Sequence, residues 1–459
     1  MMYGLRMTEA HRRALLSHLF PGDGLEAVAL LLCGRRHGKE RHVFTARRVV
    51  PVPHAVCDRR PDRVTWPTEY VEALLQEAYA KGQAIVKVHS HPGHYRHFSS
   101  MDDVSDRALF SSVASFLDDG LAHASVIMLP DGDMIGRAVW EDGRISDLLK
   151  SIMAVGDDIR IFMDNSASKG PEFARRHAQA FGQGTTALLR KLSAAVVGCS
   201  GTGSIVIEQL ARLGIGRLVL IDPEAVEEKN LNRILNTGMA DVERNRAKVE
   251  ILADAIRRIG VGQEVITLRK NLLDRKAVEA VGECDVVFGC MDSAEGRHLL
   301  NRLATFYTVP YFDVGVRLDA DGKGGIDQIA GAVHYLQPGG SSLLSRGVYD
   351  LKRVEAEEMQ RANPGEYQRQ VKEGYLRGVE EDRPAVISVN MFYAALLVNE
   401  FLARLHVYRN QLNSDYACVS ASLCEMQLYA EGENAPCEIL KRHVGRGDVV
   451  PLLERPALS

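Results

Sequence analysis

This sequence of 459 residues lacks the long apolar runs that would mark a membrane protein. A membrane-spanning helix needs roughly 18 to 20 apolar residues, and the best candidate, 387–405, is interrupted by Asn390, Asn399 and Glu400. The first 20 residues contain no apolar core of the kind found in signal peptides. We therefore expect a cytoplasmic protein without a membrane partner.

A strong charge of either sign and a cysteine framework are also missing. The net charge is −4, which gives no electrostatic reason to expect nucleic acid as a partner. The eight cysteines are scattered and do not suggest a disulfide scaffold. With 46% hydrophobic and 25% charged residues, the composition predicts an ordinary globular protein of two or three domains.

The distribution of loop-forming residues indicates two α/β domains. Glycine, proline, serine and asparagine concentrate at 164–171, and an amphipathic stretch at 145–155 before them is typical of a connecting helix. We therefore predict a first domain at 1–145, which mixes strands and helices, a linker at 146–172 and a second domain at 173–459.

The second domain begins with a pattern that predicts a parallel sheet. A helix is expected at 173–192, followed by a strand at 194–197, a glycine-rich turn, a helix at 204–213 and a strand at 218–221. This order is a βαβ unit, and a doubly wound Rossmann-like sheet is the fold that it favours.

A candidate metal site lies in the first domain, in the segment VKVHSHPGHYRHFSSMDDVSD. His89 and His91 are two residues apart at the end of a predicted strand, so their side chains point to the same face. Seven residues separate Pro92 from Ser100, and Asp103 follows three residues later, in the first turn of a helix that Ser100 can cap. Two histidines and one carboxylate leave one zinc position open, which is the pattern of a catalytic site.

This spacing resembles the signature of the JAMM (JAB/MPN-type) zinc metallopeptidases. The resemblance implies a mixed sheet with flanking helices and zinc bound by His89, His91 and Asp103. The family also uses a glutamate on an earlier strand, which LEAVALLLCG supplies as Glu26. By resemblance, Glu26 is the general base and Ser100 stabilises the oxyanion.

A candidate nucleotide site opens the second domain, where AAVVGCSGTGS places Gly198, Gly201 and Gly203 between a strand and a helix. Such a turn lets backbone N–H groups approach phosphate closely. Asp222 ends the next strand, 24 residues after Gly198, where a carboxylate can bind ribose hydroxyls. Alone, this pattern suits an NAD-dependent oxidoreductase equally well.

Downstream residues favour ATP over NAD. Asn230 and Arg233 follow Asp222 closely, Lys248 comes next, and Asp292 ends a later strand. Cationic side chains near a glycine-rich turn suit a triphosphate, and a carboxylate suits its Mg²⁺. Hydride transfer needs none of these groups.

The pattern resembles the ThiF/MoeB-type adenylyltransferases, the core of ubiquitin-activating enzymes, from about residue 173 to the C-terminus. The resemblance implies ATP and magnesium as cofactors and an arginine donated across a homodimer, here Arg176, or Arg175 in a shifted register. Ser200 stands where the family usually has a glycine.

Two family features are missing from the second domain. The paired Cys-x-x-Cys ligands of a structural zinc are absent, because Ser342 and Ser345 occupy one pair of positions and Leu440 accompanies Cys437 at the other. No cysteine lies between Met291 and Ala417, where a thioester-forming residue is expected. Candidates for an acyl acceptor are therefore Ser342 and Ser345, or Cys418 or Cys424 further along the chain, although direct transfer from the adenylate is the first expectation.

Together the two resemblances imply a fusion that processes or deconjugates a ubiquitin-like protein and adenylates its C-terminus. The setting they imply is a bacterial ubiquitin-like conjugation system, some of which act against phage, with a conjugating-enzyme-like protein as a further partner. Two alternatives stay open: activation of a sulfur carrier for cofactor or cysteine biosynthesis, and a non-catalytic scaffold that binds a ubiquitin-like protein.

Overall fold

The computed structural model describes residues 1–163, 170–373 and 384–458. The predicted loop at 164–171 therefore lies mostly outside the described residues. Mixed α/β architecture, with a mixed N-terminal sheet and a Rossmann-like C-terminal sheet, is confirmed. Within the described part of the chain, none of the helices is long and apolar enough to cross a bilayer.

A nine-stranded mixed sheet forms the first domain. Its helices are α1 (Glu9–Leu19), α2 (Glu69–Lys81) and α3 (Ser100–Leu117). The strands of this part are β1 (Met2–Thr8), β2 (Val28–His37), β3 (Arg41–Pro51), β4 (Asp58–Arg60), β5 (Arg63–Thr65), β6 (Ala84–Ser90), β7 (His123–Met128), β8 (Met134–Val139), β9 (Ile145–Leu148), β10 (Ser151–Val155) and β11 (Ile159–Phe162). The sheet order is β11-β10-β1-β3-β2-β6-β7-β8-β9, and β4 and β5 form a separate hairpin.

The segment at 145–155 is a correction to the sequence prediction, because it forms β9 and β10 and not a connecting helix. With β11, these strands occupy both edges of the first sheet, so 145–162 belongs to the first domain and not to a linker. The physical reason lies in the pairing: β10 runs parallel to β1 and buries all five of its residues, so the burial of both faces overrides the helical spacing.

An eight-stranded sheet forms the second domain, in the order β14-β13-β12-β15-β16-β17-β18-β19. The strands are β12 (Ser193–Val197), β13 (Arg217–Ile221), β14 (Glu264–Leu268), β15 (Val286–Gly289), β16 (Tyr311–Ala320), β17 (Ile326–Leu336), β18 (Cys418–Ser422) and β19 (Gln427–Glu431). The helices are α4 (Arg175–Leu189), α5 (Gly201–Leu213), α6 (Met239–Glu243), α7 (Lys248–Ile259), α8 (Arg275–Glu283), α9 (Ala294–Tyr307), α10 (Leu351–Ala362), α11 (Pro364–Lys372) and α12 (Ile387–Leu405). In this order the first five strands, up to β16, run parallel to one another. The strands β17, β18 and β19 each pair antiparallel with the strand before them.

Alternation along the strands decides which side chains face the functional elements. On β2, Leu31 joins the core beneath α1, whereas Leu30 joins the core beneath α2 and α3. On β6, Val88 lies on the α1 side, so His89, the next residue, faces α3. In the second sheet, Val196 packs with α5 and α12, and Val197 packs with α9.

Arg6, a buried residue on β1, connects the two domains through hydrogen bonds. Its side chain is buried, and its guanidinium donates hydrogen bonds to carbonyl oxygens at the end of α8 and of α9. The acceptors are Gly282 at 3.0 Å, Tyr307 at 3.3 Å, Glu283 at 3.3 Å and Cys284 at 2.7 Å. Since helix C-termini leave carbonyls without partners, an arginine there satisfies groups that burial would otherwise penalise.

Residues 443–448, here called the C-terminal strap, join the domains a second time. The Gly445 carbonyl accepts hydrogen bonds from the backbone of Gly34 at 3.1 Å and from the Thr45 hydroxyl at 2.9 Å. On its other side, the Gly445 amide donates to the Thr305 carbonyl at the end of α9. Gly447 forms a parallel β-bridge with Arg35. The strap therefore lies between β2 of the first domain and α9 of the second.

Candidate metal and nucleotide sites

Two imidazoles and one carboxylate converge where β6 ends and α3 begins. His89 Nε2 lies 3.2 Å from His91 Nε2 and 3.0 Å from Asp102 Oδ1. One donor atom from each of these residues lies within 4.8 Å of the others. The strand brings the histidines to one face, and the first turn of α3 brings the carboxylate to them.

The structure brings Asp102 to this pair, and not the predicted Asp103. Asp102 is the third residue of α3, and a helix turns about 100° per residue, so its neighbour points elsewhere. Asp103 instead accepts a hydrogen bond of 2.5 Å from Arg137 Nη1 on β8. The sequence prediction placed the seven spacer residues between Pro92 and Ser100. When the same seven residues are placed directly after His91, the next residue is Ser99, and Asp102 follows three positions later.

The capping serine shifts by the same single residue. Ser99, and not Ser100, is the N-cap of α3, and its hydroxyl accepts from the Asp102 amide at 3.1 Å. Asp102 Oδ2 in turn accepts from the Ser99 amide at 2.7 Å, which completes a capping box. This reciprocal arrangement fixes the side chain that faces the histidines.

Glu26 lies beside the same site, in the loop before β2. Its backbone N–H donates to the Arg60 carbonyl of the β4–β5 hairpin at 2.8 Å. Its Oε1 is 3.9 Å from His91 Nε2. Burial raises the pKa of Glu26 to about 8, and the charges of Asp102 and Asp62 act in the same direction. A divalent cation held by the three neighbouring side chains would act oppositely on this pKa.

The protonation states of the three converging side chains fit zinc. The His91 Nδ1 lies 2.7 Å from the Tyr95 carbonyl, which can only accept, so Nδ1 carries the proton and Nε2 offers its lone pair. Burial lowers the pKa of His89, which favours neutral imidazole. Burial raises the pKa of Asp102, but its bonds to His89 and Ser99 outweigh this and hold it well below its usual value. Two imidazole nitrogens and a carboxylate are a zinc donor set with one open position.

The glycines of the predicted nucleotide turn are required by close backbone approaches. Gly198 has φ of +89°, and a Cβ there would stand 2.6 Å from the Cys290 carbonyl. A Cβ on Gly203 would overlap the Gly198 carbonyl. A Cβ on Gly201 would meet the amide of Asn390 and, at 3.2 Å, Cδ of Arg233. The turn therefore leaves the N-terminus of α5 open at the carboxyl end of β12.

Asp222 and Lys248 lie beside this turn. Asp222 Oδ2 accepts from the Cys199 amide at 2.7 Å, and burial raises the pKa of this aspartate while the charge of Lys248 acts against the shift. Lys248 is buried at the start of α7, where its ammonium pairs with Glu224. The Asp222 carboxylate thus holds the glycine-rich turn in place through the Cys199 amide.

The other predicted residues of the nucleotide site differ in the burial and hydrogen bonding of their side chains. Asn230 is buried and its Oδ1 accepts from the Glu227 amide at 3.0 Å, so it caps a turn. Arg233 extends past Gly201 and donates to the Lys229 carbonyl at 2.8 Å. Asp292 is exposed after β15, where a cation has access to its carboxylate.

Arg176 and its neighbour Arg175 lie exposed at the start of α4. Arg175 pairs with Glu172 at 3.1 Å, and no such ion pair involves Arg176 among the described residues. The predicted helix at 173–192 is shorter than expected, and Gly182, with φ of +79°, kinks it. The Arg176 side chain is therefore exposed at the surface of the single chain.

The serines proposed as acyl acceptors form a reciprocal cap. The Ser342 amide donates to Ser345 Oγ at 2.9 Å, and the Ser345 amide donates to Ser342 Oγ at 3.1 Å. Ser342 is buried and Ser345 is exposed. Both hydroxyls accept a backbone hydrogen bond, so the difference in exposure alone favours Ser345 over Ser342 as a nucleophile.

Cys418 is a poor alternative acceptor. Burial raises the pKa of its thiol to about 11, so it carries little thiolate at neutral pH. His334 Nε2 lies 4.0 Å from its sulfur, while His334 Nδ1 faces Arg346 at 3.5 Å. Because the guanidinium can only donate, it favours the tautomer whose Nε2 carries the proton, which cannot accept one from the thiol.

Sequence reasoning missed three residues beside these sites. Asp102 and Ser99 could have been found by starting the seven-residue count at His91. Asn390, which lies against Gly201, comes from α12, nearly 190 residues further along the chain, and carries no local signal. Long-range packing of this kind cannot be inferred from spacing.

Comparisons with known proteins separate the chain into the same two parts. Residues 8–141 match the family described as prokaryotic homologs of the JAB domain. Residues 174–431, more than half of the chain, match the ThiF family.

Similar proteins cover only part of the chain. Ubiquitin-like modifier-activating enzyme 5 of Culex quinquefasciatus is 27% identical over 160 residues, which are 33% of this chain and 38% of that protein. Adenylyltransferase and sulfurtransferase MOCS3 of Mus musculus is 36% identical over 120 residues, 26% of each chain. The crystal structure of E. coli MccB with succinimide covers 61% of this chain and 76% of its own, at 19% identity and a TM-score of 0.45.

The chain thus spans less than two fifths of the length of these two sequence relatives. The chain belongs to the ThiF family and carries a region of the prokaryotic JAB type ahead of its ThiF region.

Proposed function

We propose that this chain hydrolyses a peptide or isopeptide bond at the C-terminus of a ubiquitin-like protein and adenylates the exposed carboxylate. The observation that carries the proposal is the convergence of His89, His91 and Asp102 beside Glu26, in the same chain as a ThiF-type glycine turn. Each site matches one of two reactions on a single chemical group, the terminal carboxyl of a protein tail.

The first site holds zinc through His89, His91 and Asp102. Zinc bound there would supply the Lewis acidity for amide hydrolysis. Glu26, 3.9 Å from His91, takes a proton from the attacking water and returns it to the leaving amine. Ser99, at the N-cap of α3, takes the role first expected of Ser100, the stabilisation of the oxyanion.

The second site binds ATP with Mg²⁺ and catalyses attack of the carboxylate on the α-phosphate, with pyrophosphate leaving. Backbone N–H groups between Gly198 and Gly203 and the N-terminus of α5 face the phosphates. Arg233 and Lys248 supply positive charge, and exposed Asp292 anchors magnesium. Arg176 acts on the ATP of a second copy, which makes the functional unit a homodimer.

The names of the relatives support the proposed substrate class. The mosquito relative is named for activating a ubiquitin-like modifier, which supports a ubiquitin-like protein as the substrate. We propose that the chain works in a bacterial ubiquitin-like conjugation system, with a conjugating-enzyme-like protein as acceptor and defence against phage as its setting. The mouse relative is named as an adenylyltransferase and sulfurtransferase, which favours processing and activation of a sulfur carrier as the second candidate.

The proposal is tested by incubating the full chain with a ubiquitin-like protein that carries a C-terminal extension. We expect zinc-dependent removal of the extension and, with ATP, pyrophosphate exchange that requires the exposed terminus. With the extended protein, His89→Ala should lose both reactions, but it should keep exchange when the protein is supplied without the extension. Asp292→Ala should lose only exchange. A chain that binds the protein but performs neither reaction would instead be a scaffold.

A further inference from the structure

A cluster of four charged side chains, three of them buried, lies behind the histidine pair and is used by neither proposed reaction. Its members are Lys87 on β6, Arg137 on β8, and Asp103 and Asp106 on α3. Two positive and two negative side chains balance one another. Since a buried charge is retained only when it is paired, this cluster holds its elements in a defined arrangement.

The strand register places the cluster on the same face as the metal site. Lys87 is paired with Ser125 on β7, and Ser125 with Arg137 on β8, so the three side chains form one row across the sheet. His89 follows Lys87 by two residues and therefore projects from the same face. Helix α3 lies over this face, and its first turn supplies Asp102.

Arg137 is the member of the cluster that reaches the first turn of α3. Its Nη2 and Nε donate to Asp106 Oδ2 at 2.6 and 3.1 Å, and its Nη1 donates to Asp103 Oδ1 at 2.5 Å. Lys87 pairs with the other oxygen of Asp106. A planar guanidinium can bind two carboxylates in a fixed geometry, which an ammonium cannot do.

The same guanidinium also fixes the loop that follows His91. It lies over the Phe98 ring, 3.9 Å from the ring centre, and the Phe98 ring is 6.4 Å from the ring of His89. Phe98 directly precedes the Ser99 cap. Arg137 therefore holds the residues on both sides of Asp102: the loop and cap before it, and Asp103 and Asp106 after it.

We propose that Arg137 is a positioning residue that holds Asp102 in place for zinc, an inference that rests on the proposed zinc site. Asp102 can face the histidines only while the first turn of α3 keeps its rotation, and the bonds from Arg137 to Asp103 and Asp106 set that rotation. Groups hydrogen-bonded to a metal ligand typically change metal affinity by about 10- to 100-fold when removed. Arg137 touches no ligand and acts through the helix turn, so we expect a loss at the lower end of that range.

The experiment measures the zinc dissociation constant of the full chain by competition with a chromophoric chelator. Arg137→Met should weaken zinc binding about 10-fold. It should leave ATP–pyrophosphate exchange with a ubiquitin-like protein that carries no extension, the control for folding, unchanged. In an Asp102→Ala background the same substitution should cause little further loss, because a residue that acts through Asp102 has nothing left to position.

Two results would overturn the role of Arg137: unchanged zinc affinity in Arg137→Met, or an equal loss in both backgrounds, which would indicate general destabilisation. If Arg137→Met loses exchange as well, Asp103→Asn takes its place, with a smaller loss expected that again disappears in the Asp102→Ala background. Zinc affinity that His89→Ala does not change would contradict the proposed metal site itself, so the two failures are distinguishable.

Discussion

A single residue step separates the side chain that completes the metal site from one that does not. Asp102 and Asp103 are adjacent acidic residues in the first turn of α3, and sequence composition alone gives them equal claims. The helix rotates one toward His89 and the other toward Arg137. Their different surroundings permit a direct comparison.

Asp102→Ala and Asp103→Ala should therefore differ in zinc content. Removing a ligand should lower zinc affinity by about 100-fold or more, whereas removing the partner of Arg137 should lower it by about 10-fold or less. Elemental analysis after dialysis, together with chelator competition, would measure both. A larger loss in Asp103→Ala than in Asp102→Ala would contradict the ligand assignment.

Glu26→Gln should keep zinc and lose cleavage. The side chain lies beside the donor set without belonging to it, and removal of a general base typically slows a reaction by about 10²- to 10⁴-fold. Zinc content and the rate of cleavage of an extended ubiquitin-like protein would be measured on the same preparation. Loss of zinc in this variant would make Glu26 a ligand.

Gly203→Ala should abolish ATP–pyrophosphate exchange. A Cβ at this position overlaps the Gly198 carbonyl, so the turn must open and its N–H groups lose their alignment. Gly184→Ala is a matched control, because this helical glycine has no neighbour within 4 Å of the added carbon. Exchange that survives in Gly203→Ala would place the nucleotide elsewhere.

At the scale of elements, three neighbouring strands carry a row of polar side chains through the second sheet. Asp313 on β16 is paired with His334 on β17, which is paired with Cys418 on β18. Burial lowers the pKa of His334 to about 3, and the nearby charges of Arg346 and Arg297 act in the same direction. Folding therefore requires this imidazole to be neutral.

The protein should become less stable as the pH is lowered, because of His334. In the unfolded chain its pKa is about 6.5, so below that value the unfolded state binds a proton that the folded state refuses. The stabilisation is present above pH 6.5 and is lost as pH falls toward 3, by at most about 1.4 kcal/mol per pH unit. Urea unfolding from pH 7 to 4.5 should show a shallower slope for His334→Gln than for wild type, with the exposed His94→Gln as control. Equal slopes in all three proteins would refute the assignment.

The elements that sequence patterns predicted well are those whose signal is local. Helix α3 is capped within one residue of the predicted position because its capping box is encoded within four positions, and β12 and β13 begin within one residue of the strands predicted at 194–197 and 218–221. The segment at 145–155 was predicted wrongly because its conformation is decided by pairing with β1, nearly 150 residues earlier. The contacts of Arg137 with α3 depend in the same way on the register of three strands.

At the scale of the whole molecule, the C-terminal strap should determine whether the two domains unfold together. Gly445 has φ of +68°, and an added Cβ would overlap the Ala46 carbonyl of β3. Gly445→Ala should therefore separate the strap from the first domain and split one thermal unfolding transition into two, as measured by calorimetry.

The matched control for this variant is Gly82→Ala. Gly82 has a similar φ of +59° but no neighbour within 4 Å of an added Cβ, so it reports the backbone penalty alone, about 1 to 2 kcal/mol. A Gly445→Ala protein that unfolds like Gly82→Ala would mean that the strap does not couple the domains.

The proposed homodimer predicts complementation between inactive variants. Arg176→Ala lacks the residue given to the partner, and Asp292→Ala lacks its own magnesium anchor. Mixed heterodimers contain one site with both groups intact, so mixing the two proteins should restore about a quarter of wild-type ATP–pyrophosphate exchange. Failure to restore exchange in a verified heterodimer would show that Arg176 does not act across an interface.

The strap also has a consequence for the order of events on the ribosome. The Gly34 amide on β2 and the Thr45 hydroxyl on β3 are translated early, yet both donate to Gly445. At about 5 to 20 residues per second, the intervening 400 residues take roughly 20 to 80 s to synthesise. During this time the first domain lacks its contacts with the strap. The part of its surface that the strap later covers is therefore accessible to chaperones until the strap has been translated.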